Sequence, residues 1–289
     1  MSQFLLLGIY GLANGAVLAL ASLGFVLVYK STKVVNFAQG ELLLLGAYAF
    51  YTARVLLGLP LPLALALSGL AAVALGALLE RLVLRRLVGE APIVLVMVTI
   101  GLSAVFRAAV QLGFGTAPRQ LPKLLPAGSV VLAGARVPSD RVLAMLLCAL
   151  VLAASAALFR WSRQGVALRA LADDQLAAQA QGISVSRMFA LAWGFAALSA
   201  LIAGVLLADI AELSQNLAGF GGLVFPVVIL GGLDSVPGTI VGGVIVGLAS
   251  QYAEGLCPGA SGFVCHLLLV VLLVLRPHGL FGEPRIERV

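Results

Sequence analysis

The sequence predicts an all-α fold, a polytopic transmembrane helical bundle of about eight or nine spans. Of its 289 residues, 62% are hydrophobic and only 10% are charged, whereas soluble domains carry about 25% charged residues. The mean hydropathy is +1.12, and a soluble chain of this length could not bury that much apolar surface. Apolar runs long enough to cross a bilayer recur along the whole chain. These observations argue against a soluble enzyme, a disordered chain and a disulfide scaffold.

Long apolar runs define the predicted spans, since a crossing helix needs about 20 mostly apolar residues. They lie near residues 5–29, 41–58, 62–80, 92–113, 141–160, 188–210 and 235–252. Two shorter apolar runs, near 220–232 and 263–275, are either short tilted spans or re-entrant pieces. The first run lacks a preceding basic region and exceeds the ~7–15 apolar residues of a signal peptide, so we expect a retained helix.

The basic residues predict the orientation, because lysine and arginine are enriched in cytoplasmic loops. They form four clusters: Lys30 and Lys33; Arg81, Arg85 and Arg86; Arg160, Arg163, Arg169 and Arg187; and Arg276, Arg285 and Arg288. Placing all four inside puts the N-terminus outside and the C-terminus inside. An odd number of crossings is then needed, which favours nine spans over eight. The basic residues of the 114–140 loop, Arg119, Lys123, Arg136 and Arg141, oppose this placement.

The net charge of +6 does not indicate nucleic-acid binding, because no basic stripe with interleaved aromatic residues is present. The sequence contains no G-x-x-x-x-G-K-[ST] phosphate loop, and its cysteines match no metal-site spacing. We therefore expect no cofactor in this chain. Cys148, inside an apolar run, is expected to be a packed thiol. Cys257 and Cys265 would form a disulfide only if the short segment between them faces an oxidising compartment.

A polar segment, Asn36 to Glu41, joins the first two predicted spans. Asn36 would cap a helix that begins near Ala38, and Glu41 would then meet the positive end of the helix dipole. Alternatively, Asn36, Gln39 and Glu41 line an aqueous path through the membrane. The sequence favours neither interpretation over the other.

Residues 163–187 form an alanine-rich polar linker, whose central part, 165–183, should be helical but cannot cross a bilayer. Leu168, Leu171 and Leu176 give this helix an apolar side, while Arg169, Asp173, Asp174 and Gln175 remain solvated. Gly182 should end the helix. Helices that lie on lipid carry a basic polar face, so the two aspartates favour docking into the groove of a protein partner.

Glycine and proline interrupt the apolar sequence near the predicted seventh span, at Gly231-Gly232 and Pro237-Gly238. Interrupted helices often mark a translocation site, but a plain cytoplasmic hairpin explains the same residues, with Asp234 or Ser235 capping the next helix. Three polar residues after the sixth span are interpreted as solvated loop residues or, alternatively, as a contact for a soluble delivery protein: Asp209, Glu212 and Asn216. Arg107, the most deeply placed charge, is interpreted as an anchor that snorkels outward.

Four motifs occur in the order found in a known family: the segment Asn36 to Glu41, the linker from Arg169 to Ile183, the Gly231 to Gly238 turn, and the Arg276 to Gly282 tail. Together they resemble the permease of branched-chain amino acid ABC importers, the LivH type. Two positions depart from that family, because Gln39 replaces a frequent His and Asp234 replaces a more usual Gly.

The resemblance implies a non-enzymatic permease domain, residues 1–289, in the bacterial inner membrane. Its partners would be a second related permease, two cytoplasmic ATPases, a periplasmic binding protein and a small-molecule substrate. Coupling to an ATPase is assigned to seven residues: Arg169, Ala170, Asp173, Asp174, Ala178, Gly182 and Ile183. The expected translocation path comprises Asn36, Gln39, Glu41, Gly231, Gly232 and Pro237.

Other functions stay open at this point. An ABC permease of this type would equally carry another small polar solute, such as urea or an amide. A secondary transporter or channel that acts alone is a second class. An intramembrane enzyme is a third, with Asp209 and Asp234 as its two carboxylates.

Overall fold

The computed structural model describes residues 2–87, 89–124, 128–132 and 135–282. Within these ranges the chain forms the following helices: α1 (Ser2–Thr32), α2 (Gln39–Tyr51), α3 (Leu61–Leu82), α4 (Pro92–Phe114), α5 (Ser139–Trp161), α6 (Arg163–Asp173), α7 (Gln175–Ala180), α8 (Val185–Ile210), α9 (Phe220–Gly231), α10 (Val236–Leu256) and α11 (Ser261–Leu275). A short antiparallel hairpin, β1 (Ser129–Leu132) and β2 (Ala135–Pro138), precedes α5.

Six of these helices are long and apolar enough to cross a membrane: α1, α3, α4, α5, α8 and α10. Three shorter helices complete the described bundle. They are α2 with the π-helical turn Thr52–Leu56, α9 with the 3-10 turn Gln215–Gly219, and α11. The predicted bundle of about eight or nine spans is consistent with this arrangement.

The described basic clusters gather at one end of the bundle, around two cavities. A cavity of about 370 Å³ lies between Lys33, Arg85 and Leu171. A second cavity, of about 380 Å³, is lined by Lys30 and Arg160 among others. We call this end the inner end, in keeping with the positive-inside rule, and the opposite end the outer end. Of the predicted tail cluster, Arg285 and Arg288 lie outside the described residues.

Close backbone contacts at glycines hold the central helices together. A Cβ atom placed on Gly15 of α1 would lie 2.6 Å from the carbonyl oxygen of Gly243 in α10. On Gly76 of α3 it would lie 2.3 Å from the carbonyl oxygen of Trp193 in α8. Lipid tails are as apolar as leucine, so such close packing supplies much of the attraction between helices. The small residues of this sequence therefore bring α1, α3, α8 and α10 into backbone contact.

We expect Gly76→Ala to destabilise the bundle, because the added methyl group would meet backbone rather than a flexible side chain. Overpacking of this kind costs about 1–3 kcal/mol. The matched control is Gly101→Ala in α4, where a Cβ atom meets no other atom within 4 Å. Thermal unfolding of the purified protein in detergent should give a lower midpoint for the Gly76 variant alone. Equal midpoints for the two variants would contradict this account of the packing.

Candidate functional site

The chain between α1 and α2 turns back into the bundle without being helical. Lys33, just after α1, has a positive φ of 57°, and α2 begins only at Gln39. The Gln39 side chain donates a hydrogen bond to the carbonyl oxygen of Ala21 over 3.0 Å. At a rise of 1.5 Å per residue, Ala21 lies about 16 Å from the inner end of α1. Helix α2 therefore starts deep inside the bundle rather than at its inner end.

Asn36 is fully buried in this non-helical segment. Its Oδ1 accepts a hydrogen bond from the Ala38 N–H over 3.1 Å, and its Nδ2 donates to Gln39 Oε1 over 3.1 Å. The predicted capping role is correct only in part, because the N-cap residue of α2 is Ala38, which makes no side-chain cap. On the far side, Thr99 of α4 donates to the carbonyl oxygen of Val35 over 3.3 Å. The segment is thus held by side chains of α2 and α4.

Glu41, in the first turn of α2, forms an ion pair with Arg107 of α4. The Arg107 Nη2 to Glu41 Oε1 distance is 2.6 Å, and the side chains are 50% and 5% exposed, respectively. Arg107 is therefore not simply a snorkelling anchor, as predicted, but the partner of a buried carboxylate. Sequence reasoning treated these two charges separately; the signal it missed was that Arg107 lies within an apolar run, where a charge needs a partner. We call Asn36, Gln39, Glu41 and Arg107 the polar cluster.

The linker at the inner end consists of two helices, α6 and α7, rather than the single helix predicted over 165–183. Asp174 causes the break: its φ and ψ are −148° and 112°, and its Oδ1 accepts hydrogen bonds from the N–H groups of Leu176 and Ala177 over 2.8 and 3.0 Å. Asp174 is therefore the N-cap of α7 as well as a solvated charge. Gly182, with a φ of +81°, ends α7 as predicted.

The apolar side of this linker differs from the prediction at one residue. Leu168 and Leu171 are buried, but Leu176 is 78% exposed, because the break at Asp174 turns α7 away from the face of α6. Ala178 is buried and packs with Leu171 and Phe189 of α8, and Ile183 covers the same cluster. Ala170 is half-buried, and Asp173 is exposed.

Arg169 ties α6 to the preceding span. Its guanidinium donates to the carbonyl oxygens of Phe159 and Arg160 in the last turn of α5. Those carbonyls lack helical partners, so a cation there is favourable. The Ser162 hydroxyl also accepts from the Gly165 N–H over 2.9 Å, which caps α6. The linker is consequently fixed to α5 at one end and to α8 at the other.

The Gly231-Gly232 turn joins α9 to α10 at the inner end, as the hairpin interpretation expects. Gly232 has a φ of +104°, and Ser235 caps α10 by accepting from the Gly238 N–H over 3.0 Å. The tail motif docks on this turn: Leu280 N–H donates to the carbonyl oxygen of Leu230 over 2.9 Å, and Phe281 N–H donates to that of Gly231 over 3.1 Å. Two motifs noted separately in the sequence are thus one structural unit.

The six residues predicted for the translocation path do not form one site. Asn36, Gln39 and Glu41 lie deep in the bundle. Gly231, Gly232 and Pro237 lie at the inner end, where Pro237 lines the second cavity.

Asp209, predicted to be a solvated loop residue, is buried, with 2% exposure. Its Oδ1 accepts from the Leu124 N–H over 2.7 Å, and its carbonyl oxygen accepts from Lys123 Nζ. This pins the segment after α4 to the outer end of α8. Glu212 and Asn216 are exposed, as predicted. Asp234 lines the second cavity at the inner end, so Asp209 and Asp234 cannot act as a facing pair.

The three cysteines are free thiols in this structure. Cys148 is buried, in agreement with the predicted packed thiol. Cys257 is exposed and Cys265 is buried between α10 and α9, so the two do not form the disulfide considered from the sequence.

A multi-pass helical bundle with a structured linker at its positive end has the architecture of the membrane-embedded subunit of a transporter. The comparisons identify the family: residues 8–273 match the model described as "Branched-chain amino acid transport system / permease component", and the chain belongs to this family. The resemblance noted in the sequence is therefore confirmed. The apolar helices and this family match agree with the predicted location as a multi-pass protein of the bacterial inner membrane.

Curated relatives match almost the full length. The chain is 29% identical to "High-affinity branched-chain amino acid transport system permease protein LivH" of Salmonella typhimurium, over 96% of each chain. It is 30% identical to the corresponding protein BraD of Pseudomonas aeruginosa, again over 96% of each. A "Probable branched-chain amino acid transport permease protein LivH" of Methanocaldococcus jannaschii is 26% identical over 92% of this chain and 88% of its own. No solved structure matches the chain significantly.

We expect Arg107→Gln to destabilise the protein more than Glu41→Gln. The first change leaves a buried carboxylate without its cation, which costs about 2 kcal/mol, whereas the second leaves a half-exposed guanidinium that can reach polar surroundings. The double variant should recover part of the loss, because it removes both charges. Thermal unfolding midpoints in detergent measure all three. Equal effects of the single changes, or strictly additive effects, would show that the ion pair does not hold α2 to α4.

Proposed function

We propose that this chain is a permease subunit of an ATP-driven importer of branched-chain amino acids, and that it forms part of the path through the membrane. The observation that carries this proposal is the near full-length similarity to permease proteins named for that transport. The transported amino acid would pass along the buried surface that includes the polar cluster.

The proposed assembly contains a second related permease, two cytoplasmic ATPases and a periplasmic binding protein. Its energy would come from ATP bound by the ATPase subunits, since the sequence of this chain has no phosphate-binding loop of the G-x-x-x-x-G-K-[ST] type. Binding of the substrate from outside would rest mainly on the binding protein.

The linker of α6 and α7 is the proposed contact with an ATPase. It lies at the inner end, and α7 presents Leu176 and the neighbouring Gln175 and Gln179 as exposed side chains. Assigned to this contact are Arg169, Ala170, Asp173, Asp174, Ala178, Gly182 and Ile183. Of these, Arg169, Ala178 and Ile183 attach the linker to α5 and α8, whereas Asp173 and Asp174 are exposed to a partner.

Displacement of the linker would reach the path through α8. Helix α7 packs on Phe189 of α8. Further along α8, Gly204 lies against the carbonyl oxygen of Leu43, and Leu201 lies against Gly46 of α2. A rigid shift of α8 after the ATPases close would therefore move α2, which carries Gln39 and Glu41. This is a helix-shift mechanism of alternating access.

We expect Asp174→Ala to weaken the coupling of ATP hydrolysis to uptake about fivefold. The change removes an N-cap, worth about 1 kcal/mol, from a six-residue helix that is otherwise held mainly by the packing of Ala178. Asp174→Asn should keep coupling, because Asn caps equally well. The control Asp173→Ala removes the same charge without touching a cap. The measurement is substrate transported per ATP hydrolysed by the reconstituted complex; equal effects of the two alanine variants would refute the capping role.

The proposed substrate is tested by reconstituting the complete complex in liposomes and measuring uptake of labelled leucine, isoleucine and valine. We expect uptake that requires both ATP and the binding protein, with little competition from urea or amides. Uptake by this chain without any ATPase would establish a stand-alone transporter instead. Selective transport of urea or an amide would show that the substrate is that small polar solute rather than a branched-chain amino acid.

A further inference from the structure

The second cavity at the inner end, about 380 Å³ in volume, is an open cleft that none of the roles above uses as a binding site. Residues of α1, the end of α5, the start of α6, the α9–α10 turn and the docked tail line this cleft. Two chemically different sets of side chains line the cleft. One set is apolar and includes Leu27, Phe159 and Phe281, and the other set is charged.

The charged set is positive overall. It contains three basic side chains, Lys30, Arg160 and Arg169, and a single carboxylate, that of Asp234. Arg169 is engaged with the carbonyl groups at the end of α5. Among the residues described, the side chains of Lys30 and Arg160 have neither a hydrogen-bond acceptor nor an ion-pair partner. Lys30 is also half-buried, so its ammonium group would gain from an anion in the cleft.

The position of the cleft matches the headgroup layer of the inner leaflet. Trp161, which adjoins Arg160 at the end of α5, is 77% exposed. Tryptophan is enriched at that depth because one side of its ring system is apolar and its N–H is polar. Along the same helix, Leu150 and Leu158 are exposed large apolar side chains. The cleft therefore opens next to a surface suited to acyl chains.

We propose that this cleft binds an anionic phospholipid of the inner leaflet. Its phosphate group would lie between Lys30 and Arg160, and its glycerol and upper acyl carbons would lie against Phe159 and Phe281. Basic pockets between membrane helices on the cytoplasmic side bind lipid headgroups in this way. A free phosphate would use only the charged side chains of the cleft and would leave its apolar side chains without a ligand.

Removing the charge of Asp234 should have opposite effects on the binding of anionic and zwitterionic lipids. Its carboxylate is half-buried and opposes an anion in the same cleft. Removing that charge should therefore tighten the binding of an anionic lipid. If the true ligand were phosphatidylethanolamine, Asp234 would attract its ammonium group, and the same change would weaken binding.

The experiment is native mass spectrometry of the purified full-length chain in detergent, titrated with phosphatidylglycerol, phosphatidylethanolamine, phosphatidylcholine or glycerol 3-phosphate. We expect the anionic lipid to bind most tightly and glycerol 3-phosphate not to compete at millimolar concentration. Lys30→Gln and Arg160→Gln should each weaken phosphatidylglycerol binding about fivefold, and Asp234→Asn should strengthen it. The control Arg81→Gln removes an exposed inner-end charge that does not line the cleft, and it should leave binding unchanged.

Four results would overturn the proposal. Equal weakening by Arg81→Gln would mean that the positive end attracts anionic lipid without a site. Competition by glycerol 3-phosphate would assign the cleft to a soluble phosphate. Binding of phosphatidylethanolamine as tight as that of phosphatidylglycerol, or weaker binding by Asp234→Asn, would remove the anionic lipid as the ligand. Unfolding midpoints of each variant in detergent, measured alongside, separate loss of the site from loss of the fold.

Discussion

Backbone polar groups at membrane depth must find their partners within the protein, because the bilayer core offers no water. The non-helical residues 33–38 create that demand in the middle of this bundle. Asn36 accepts a hydrogen bond from the Ala38 N–H, Thr99 donates one to the carbonyl oxygen of Val35, and Gln39 holds the Asn36 side chain in place. Only because these bonds exist can α2 start at mid-depth and place Glu41 against Arg107.

The helical architecture follows closely from the sequence, because the length of an apolar run is set by bilayer thickness. Local residue types with a fixed geometric preference were also good predictors of the structure. Gly182 and Gly232 adopt the positive φ that glycine tolerates, and Ser235 caps α10. The break at Asp174 was predictable in principle, since Asp is a strong N-cap residue. The alanine-rich composition around it favoured a continuous helix instead, which also placed Leu176 wrongly on the buried side.

Contacts between distant segments were beyond a single sequence. Glu41 and Arg107 are 66 residues apart, and Leu124 and Asp209 are 85 apart. Each pair depends on which helices become neighbours, and hydropathy carries no such information. The same limit applies to the tail and the Gly231-Gly232 turn. Both motifs were evident in the sequence, but their contact at the inner end depends on how α9, α10 and α11 pack, which the sequence did not show.

The brevity of α11 has a consequence for the lipid around this protein. Its 15 residues extend over only about 22 Å, against about 30 Å for a typical hydrocarbon core. Its outward side carries Phe263, Val270 and Val274, which are largely exposed. The bilayer along this flank must therefore thin to match α11, since a span shorter than the hydrocarbon core is accommodated by local thinning. The free energy of the folded permease in the membrane should consequently depend on bilayer thickness.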